Sequence, residues 1–301
     1  MNIVFMGTPD YAKTILEALL NKDLNVNLVL TQPDRPVGRK KVLTPPPVKV
    51  LATDSGIEIL QPQTLKDSQV QEQIKDAKPD IIIVAAYGQL LPKEVLDIAP
   101  CVNLHASILP KYRGASPIQQ ALLNGDEYSG VTAMLMDVGL DTGDILGFKF
   151  IKSKSAPTLD LMMDKLSILA ADLTVDIVEN FDTLLPIKQL NAAASHCRKI
   201  TKQDGLVQLK SADEVYRKFC GYFGWPGVFL ESGLKLIDIE IFDLKSSNRE
   251  GEILEVLEDS IVVACESGSI KIKKLQAPSK PKTDAKAYIL GKRISVGDTL
   301  L

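Results

Sequence analysis

Four short runs rich in β-branched and apolar residues, at positions 2–6, 25–30, 80–85 and 101–105, are separated and followed by stretches of helical periodicity. Strands that alternate with helices in this way predict a mainly parallel, three-layer α/β sheet of Rossmann-like form. The run at 80–85, Asp-Ile-Ile-Ile-Val-Ala, shows no polar alternation, as a strand covered on both faces requires. Gly7 breaks the first strand, and Thr8-Pro9-Asp10 then reads as helix N-cap, first helical residue and an acid favoured by the helix dipole. That helix is expected to reach about Leu20.

Two segments interrupt the alternation. Residues 31–48 (TQPDRPVGRKKVLTPPPV) carry five prolines and a glycine and are expected as a long loop, of a length usually tied to function or disorder. Residues 131–136 read as a strand, and the turn Gly139-Leu-Asp-Thr-Gly143 leads into another at 145–151, an antiparallel pair expected to close the sheet. A helix over 158–180, with Thr158 as N-cap, should cover the sheet. Residues 183–205 lack a clear period and suit a linker, with His196-Cys197 read as a solvated segment. A helix near 212–220 and short strands at 233–242, 251–256, 260–264 and 269–275 then suggest a small C-terminal β-barrel of OB-like type.

At 301 residues the chain exceeds one ordinary core, and the expected division is a domain over 1–188, a linker over 189–206 and a second domain over 207–301. A formal net charge of −3 gives no global argument for nucleic acid or membrane, so charge has to be read locally. Cys101, Cys197, Cys220 and Cys265 are widely spaced and form no Cys-x-x-Cys, so neither a zinc site nor a disulfide framework is indicated and no metal is expected. A reducing, cytoplasmic setting fits this usage. The start, Met-Asn-Ile-Val-Phe-Met-Gly, has no basic region, so no signal peptide is expected, and the longest apolar run, 81–87, is too short to span a bilayer. No membrane partner is expected, and the chain is expected to act as a monomer. One glycine after the first strand, where a dinucleotide site wants Gly-x-Gly-x-x-Gly, disfavours NAD, and the missing Gly-x-x-x-x-Gly-Lys-Ser/Thr argues against a P-loop NTPase.

The chain has two histidines, and His105 ends the fourth run, where open parallel sheets place their active sites. A lone histidine there is more often structural, but Asn103, two residues earlier, shares its face of the strand. The following turn, Ser107-Ile-Leu-Pro110, brings backbone amides to the same edge, where main-chain hydrogen bonds could read a polar ring system. Asp141 lies between Gly139 and Gly143 in a turn that also holds Asp137 and Asp144. The plain reading of these acids is an Asx-type turn, and periodicity does not bring Asp141 beside His105.

With Gly7-Thr-Pro-Asp10, Thr31-Gln-Pro-Asp-Arg-Pro36, Ala86-Tyr-Gly88, Asn103-Leu-His105, Ser107-Ile-Leu-Pro110, Arg113-Gly114, Asp137-Val-Gly-Leu-Asp-Thr-Gly-Asp144 and Trp225-Pro226, the chain resembles the formyltransferases that use 10-formyltetrahydrofolate. The likeness is greatest to those acting on methionyl-tRNA and covers nearly the whole length. It implies a catalytic trio of Asn103, His105 and Asp141, with the folate donor held around Ser107, Ile108, Leu109, Pro110 and the loop 137–144. The family often has Gly and Leu where this chain has Ala106 and Ile108. Attack of an α-amine on a formyl carbon creates an oxyanion, which an asparagine amide and a protonated imidazole can meet while a neighbouring carboxylate relays protons.

Charge is concentrated in two places. Between 32 and 49, five basic residues, Arg35, Arg39, Lys40, Lys41 and Lys49, stand against Asp34, a local net of +4. Between 271 and 293, eight stand against Asp284, a net of +7. Such islands suit phosphate contacts, or are solvated lysine-rich faces. In the resembling family the long loop enters the acceptor stem and the C-terminal domain holds the tRNA, which makes Arg39, Lys40 and Lys41 expected tRNA contacts and initiator methionyl-tRNA the expected partner. One alternative is formylation of a small amine, such as glycinamide ribonucleotide or an amino sugar on a nucleotide; another is a non-catalytic RNA-binding protein. The basic loop and second domain speak against the first, and the intact trio against the second.

Overall fold

The computed structural model describes residues 1–38, 40–155 and 157–300; Arg39 of the basic loop lies outside the described residues. The chain folds as two compact units, one of Met1–Pro117, Tyr128–Lys152 and Met163–Cys197, the other of Ile118–Glu127, Ser153–Met162 and Arg198–Leu301. In chain order the elements are β1 (Asn2–Gly7), α1 (Asp10–Asn21), β2 (Asn25–Leu30), β3 (Arg35–Val37), β4 (Val42–Thr44), α2 (Pro47–Asp54), β5 (Glu58–Leu60) and α3 (Ser68–Asp76). Then come β6 (Ile81–Ala85), α4 (Lys93–Leu96), β7 (Cys101–His105), β8 (Arg113–Gly114), α5 (Pro117–Asn124), β9 (Tyr128–Leu135), β10 (Ile145–Lys152) and α6 (Leu159–Asn180). The remainder is β11 (His196–Cys197), α7 (Ala212–Gly221), β12 (Val228–Phe229), β13 (Lys235–Ser247), β14 (Ile253–Val256), β15 (Ile261–Ala264), β16 (Ser267–Gln276), β17 (Thr283–Asp284) and α8 (Ala285–Lys292).

Among the described residues the first unit is built on a seven-stranded sheet in the order β10-β9-β7-β6-β1-β2-β5. Across the sheet from β5 to β7 every pair is parallel, and β9 and β10 are antiparallel additions, as the sequence pattern predicts. The central strand β6 is buried at every residue, which is why its sequence has no alternation. From β1 the chain proceeds to β2 on one side and returns to β6 on the other, so a crevice opens at the strand ends between them. Gly7 sits there because a Cβ would lie 2.6 Å from that of Ala12 in α1. The N-cap of α1 is Pro9 and not Thr8; the Thr8 hydroxyl instead donates to the Tyr87 carbonyl at 3.0 Å and ties the end of β1 to the end of β6. Val4, Met6, Leu28, Leu30, Ile82 and Val84 share a core with Ile74 of α3 and Val95 of α4. Each such side chain contributes about 1.5–3 kcal/mol on leaving water.

Two expectations are revised. Residues 31–48 are not a bare loop: β3 and β4 pair as an antiparallel ribbon, Arg35 with Thr44 and Val37 with Val42, and Pro47 opens α2. The prolines are compatible with this because a two-stranded ribbon leaves one side of each strand without hydrogen bonds, and because Pro at a helix start loses no bond. The linker is also anchored. Ile187 exchanges both backbone hydrogen bonds with Ile145, at 2.8 Å each, and β11 pairs in parallel with β8. Cys197 is therefore buried, although its neighbour His196 is exposed.

The second unit is the antiparallel, strand-rich domain expected, with strands in the order β12-β13-β16-β15-β14 and β17 on β16. Register shifts at four places along the 13-residue β13 bend it, the device by which a sheet coils. Val215 and Phe219 of α7 enter a core with Ile239, Ile270 and Ile272. So does Ile289 of α8, a helix hidden in sequence by the basic residues around it. Among the described residues no helix is long and apolar enough to cross a membrane.

Candidate active site

Strand β7 delivers Asn103 and His105 to one face, set by the pairings Asn103 with Met134 and His105 with Thr132 on β9. His105 is buried, 6% exposed, and its Nε2 lies 2.9 Å from the Tyr112 carbonyl. A carbonyl only accepts, so Nε2 carries the hydrogen and Nδ1 is the ring atom turned to Asp141. The Nδ1 to Asp141 Oδ2 separation is 3.7 Å, beyond hydrogen-bond length but within ion-pair range.

The antiparallel β9–β10 turn brings Asp141 here from a distant part of the sequence. Asp141 has a left-handed backbone, φ +55, a conformation that Asp tolerates better than most residues, and its Oδ2 accepts the Gly114 N–H at 2.8 Å. The Asx reading holds for Asp137, whose Oδ1 accepts from Gly139 N at 2.8 Å and from the Thr142 hydroxyl at 2.7 Å. It does not describe Asp141, which reaches out of its turn.

The Ser107–Pro110 segment is braced from β9: the Thr132 hydroxyl donates to the Ser107 carbonyl at 2.7 Å and accepts from Leu109 N at 3.1 Å. The Ser107 N–H donates to the His105 carbonyl at 2.9 Å, so these two amides are engaged within the protein. Ile108 and Pro110 are partly exposed, whereas Ser107 and Leu109 are buried. Among the described residues, the buried side-chain polar atoms without a partner are Thr31 Oγ1, Gln32 Nε2 and Tyr87 Oη. All three lie just past the ends of β2 and β6, the same sheet edge, and burial pushes the Tyr87 phenol up from its ordinary range. Such atoms are ready to meet a ligand or water. No three His, Cys, Asp or Glu side chains among the described residues cluster so as to hold a metal ion.

Sequence reasoning missed the residues behind Asp141. The buried Arg113 donates from Nε and Nη2 to Gln189 Oε1 at 3.0 and 2.8 Å, and from Nη2 to Asn191 Oδ1 at 2.9 Å. Gln189 Nε2 donates in turn to the carbonyls of Asp141, 3.0 Å, and Gly143, 2.8 Å. Arg113-Gly114 was visible as a motif without a role, whereas a single polar residue in an aperiodic linker carries no signal at all.

The basic islands are less uniform than their counts. Lys40 and Lys41 are exposed at the turn of the β3–β4 ribbon, beside the exposed Val37, Val42 and Leu43. At its base Lys49 pairs with Asp34 at 2.8 Å, and the Gln61 amide donates to Asp34 at 2.8 Å. The Gln61 hydrogen bond first, and Lys49 second, hold the Asp34 carboxyl below its usual range. In the tail, Lys271 faces Asp259 at 3.8 Å and Lys273 pairs with Glu240 at 2.5 Å, so part of that charge is neutralised internally.

This geometry can be set beside known proteins. The Formyl transferase family model matches residues 1–178, and the model for the Formyl transferase C-terminal domain matches 199–293. The chain belongs to the formyl transferase family. A methionyl-tRNA formyltransferase of a Nitratiruptor species is 53% identical over 301 residues, covering 99% of each chain. Another, from Campylobacter curvus, is 54% identical over 303 residues and covers 100% of each. Among solved structures, an N-formyltransferase from Helicobacter canadensis, in complex with folinic acid and dTDP-3-aminofucose, superposes with a TM-score of 0.69 at 17% identity, over 90% of this chain and 98% of its own. At that identity the likeness establishes the family fold, with sequence relatives carrying the finer kinship.

Proposed function

We propose that this chain transfers the formyl group of 10-formyltetrahydrofolate to the α-amine of methionyl-tRNA, giving N-formylmethionyl-tRNA for translation initiation in the cytoplasm. The observation that carries the chemistry is the pairing of buried His105 with partly buried Asp141 at the C-terminal edge of the sheet, with Asn103 on the same face. The full-length relatives above half identity support the acceptor.

In this reading the amine nitrogen attacks the formyl carbon, and the carbonyl oxygen becomes an oxyanion met by the Asn103 amide and the protonated Nδ1 of His105. Asp141 takes the proton that the attacking nitrogen sheds. Collapse of the intermediate breaks the bond from carbon to the folate N10, which receives that proton from Asp141 as it leaves. The folate lies along Ser107, Ile108, Leu109 and Pro110 and the 137–144 turn. Arg39, Lys40 and Lys41 contact acceptor-stem phosphates, residues 1–188 supply the catalytic domain, and the domain over 207–301 adds further tRNA contacts. The ribbon and the second domain favour tRNA over a small amine acceptor.

The deciding experiment offers the purified chain 10-formyltetrahydrofolate with methionyl-tRNA, glycinamide ribonucleotide or a dTDP-linked amino sugar, in separate reactions. Formylation of methionyl-tRNA at a kcat/KM at least about 100-fold above the other amines is expected. A preference for either small amine would overturn the assignment.

A further inference from the structure

We propose that Gln189 is a positioning residue for Asp141, so that a segment read in sequence as a linker sets the geometry of the reacting carboxylate. The inference rests on the assignment of Asp141 made above.

The orientation of the Gln189 amide is fixed by chemistry. Arg113 has only donors, so the atom facing its Nε and Nη2 must be the carbonyl oxygen, and the NH2 must point the other way. There both N–H groups are used, one on the Asp141 carbonyl and one on the Gly143 carbonyl. These two bonds hold the turn at the reacting residue and two residues beyond it. Asp141 needs such bracing because a left-handed backbone at a non-glycine residue persists only where its surroundings over-determine it. Its carboxylate is held separately by Gly114 N, and Gly114 follows Arg113 directly in the chain, so Arg113-Gly114 grips the turn both through Gln189 and by its own backbone.

The segment is built for this one contact. Lys188 and Leu190 on either side of Gln189 are exposed, and Gln189 is the residue turned inward between them. Its place along the chain is fixed by the Ile187–Ile145 backbone pair before it and by the Arg113–Asn191 hydrogen bond after it. No other side chain of this length both accepts from a guanidinium and donates twice to carbonyls. Glutamate satisfies the first demand and fails the second.

The test uses the full chain with Gln189→Met, which keeps length without hydrogen bonds, and Gln189→Glu, which keeps the Arg113 contact alone. Both are expected to lower kcat by about 10–100-fold with KM for folate and tRNA within about threefold, since an error near 1 Å at a reacting group costs that order. If Gln189→Glu restores kcat to within about threefold of the parent, Gln189 serves only Arg113 and the proposal is wrong. The same substitutions are then made in the Asp141→Asn background, where turnover is expected to be about 10²–10⁴-fold below the parent already. Gln189→Met should cost less than about threefold more there; an undiminished loss means that Gln189 acts independently of Asp141. Hydrogen exchange gives a readout that needs no activity. Amides of residues 137–144 should exchange at least about tenfold faster in Gln189→Met while β9 keeps its protection, and unchanged exchange overturns the proposal. Failure of the Asp141 assignment is distinguishable, because Asp141→Asn would then retain near-normal turnover while the exchange result still reports on the brace.

Discussion

Replacing Gly143 by alanine should disable the enzyme while leaving it folded. A Cβ at Gly143 would stand 1.7 Å from the Leu135 carbonyl oxygen and 2.8 Å from its carbon, whereas ordinary contact begins at 3.4 Å. The two must therefore separate by about 1.7 Å. Leu135 has little freedom, being held by its bond to the Asp144 carbonyl at 2.8 Å and by its pairing with Val102 of β7. Most of the movement falls on the turn, and even an equal division shifts it by close to 1 Å. Asp141, two residues away, shifts with it. A displacement of that size costs about 10²-fold in turnover, and the overpacking itself about 1–3 kcal/mol of stability. The assay is kcat for methionyl-tRNA formylation at saturating donor and acceptor, alongside a circular dichroism melt. Gly139→Ala provides the contrast, since its nearest obstacle is the Thr142 hydroxyl at 2.0 Å, a side chain that can rotate away. Its kcat should stay within about tenfold of the parent, the loss being mainly one hydrogen bond of about 1 kcal/mol. A Gly143→Ala enzyme with kcat within threefold of the parent would refute the idea that the turn is held at backbone-contact precision.

Three further outcomes are expected. Alanine at Arg39, Lys40 or Lys41 should each weaken tRNA binding and flatten its salt dependence by about one phosphate's worth, measured by filter binding from low to moderate salt; an unaltered slope removes that residue from the interface. Burial pushes the Cys101 and Cys265 thiols up to about 12 and Cys220 up to about 11, and raises Cys197 as well. Native protein at pH 8 should therefore resist an aromatic disulfide reagent until denatured, and one rapidly labelled thiol would contradict the burial. Asp34 has its carboxyl depressed by Gln61 and Lys49, so the stabilisation it gives the ribbon base is present above the ordinary Asp range and is lost as pH falls below about 4, through the folded value. Limited proteolysis within 35–44 should rise over that acid window, and Asp34→Asn should show the same cleavage already at neutral pH; equal resistance of the two proteins at neutral pH would remove the role.

How much of this was legible in the sequence depended on how local the cause was. The apolar run of β6 announces a central parallel strand because burial on both faces leaves no alternative pattern. Asn103 and His105 could be put on one face by the two-residue period alone. The β3–β4 ribbon was hidden because its prolines argue against strands, and that argument assumes both sides of a strand need donors. Asp141 was beyond reach of any local rule: its approach to His105 depends on β9 pairing with β7 and on a left-handed residue in the turn. Family resemblance supplied that pairing where periodicity did not.

Asp141 is also the residue most instructive about how the site is held. Asn103 and His105 inherit their positions from a buried strand, so their geometry is secured by the sheet itself. Asp141 has no such support and sits on a turn, where thermal motion is ordinarily larger. It is nevertheless constrained from three directions: the Gly114 amide on its carboxylate, the Gln189 amide on its carbonyl, and the close approach of Gly143 to Leu135. Each constraint comes from a different stretch of chain. A carboxylate with the proton-relay role proposed for Asp141 cannot be immobilised through its own two oxygens without losing the lone pairs that would do the chemistry. Most of the bracing therefore acts on the backbone around it, leaving one oxygen clear of the Gly114 bond. The precision of this site then lies as much in Gly143, Arg113 and Gln189, none of which needs to touch the substrate, as in the trio proposed to react.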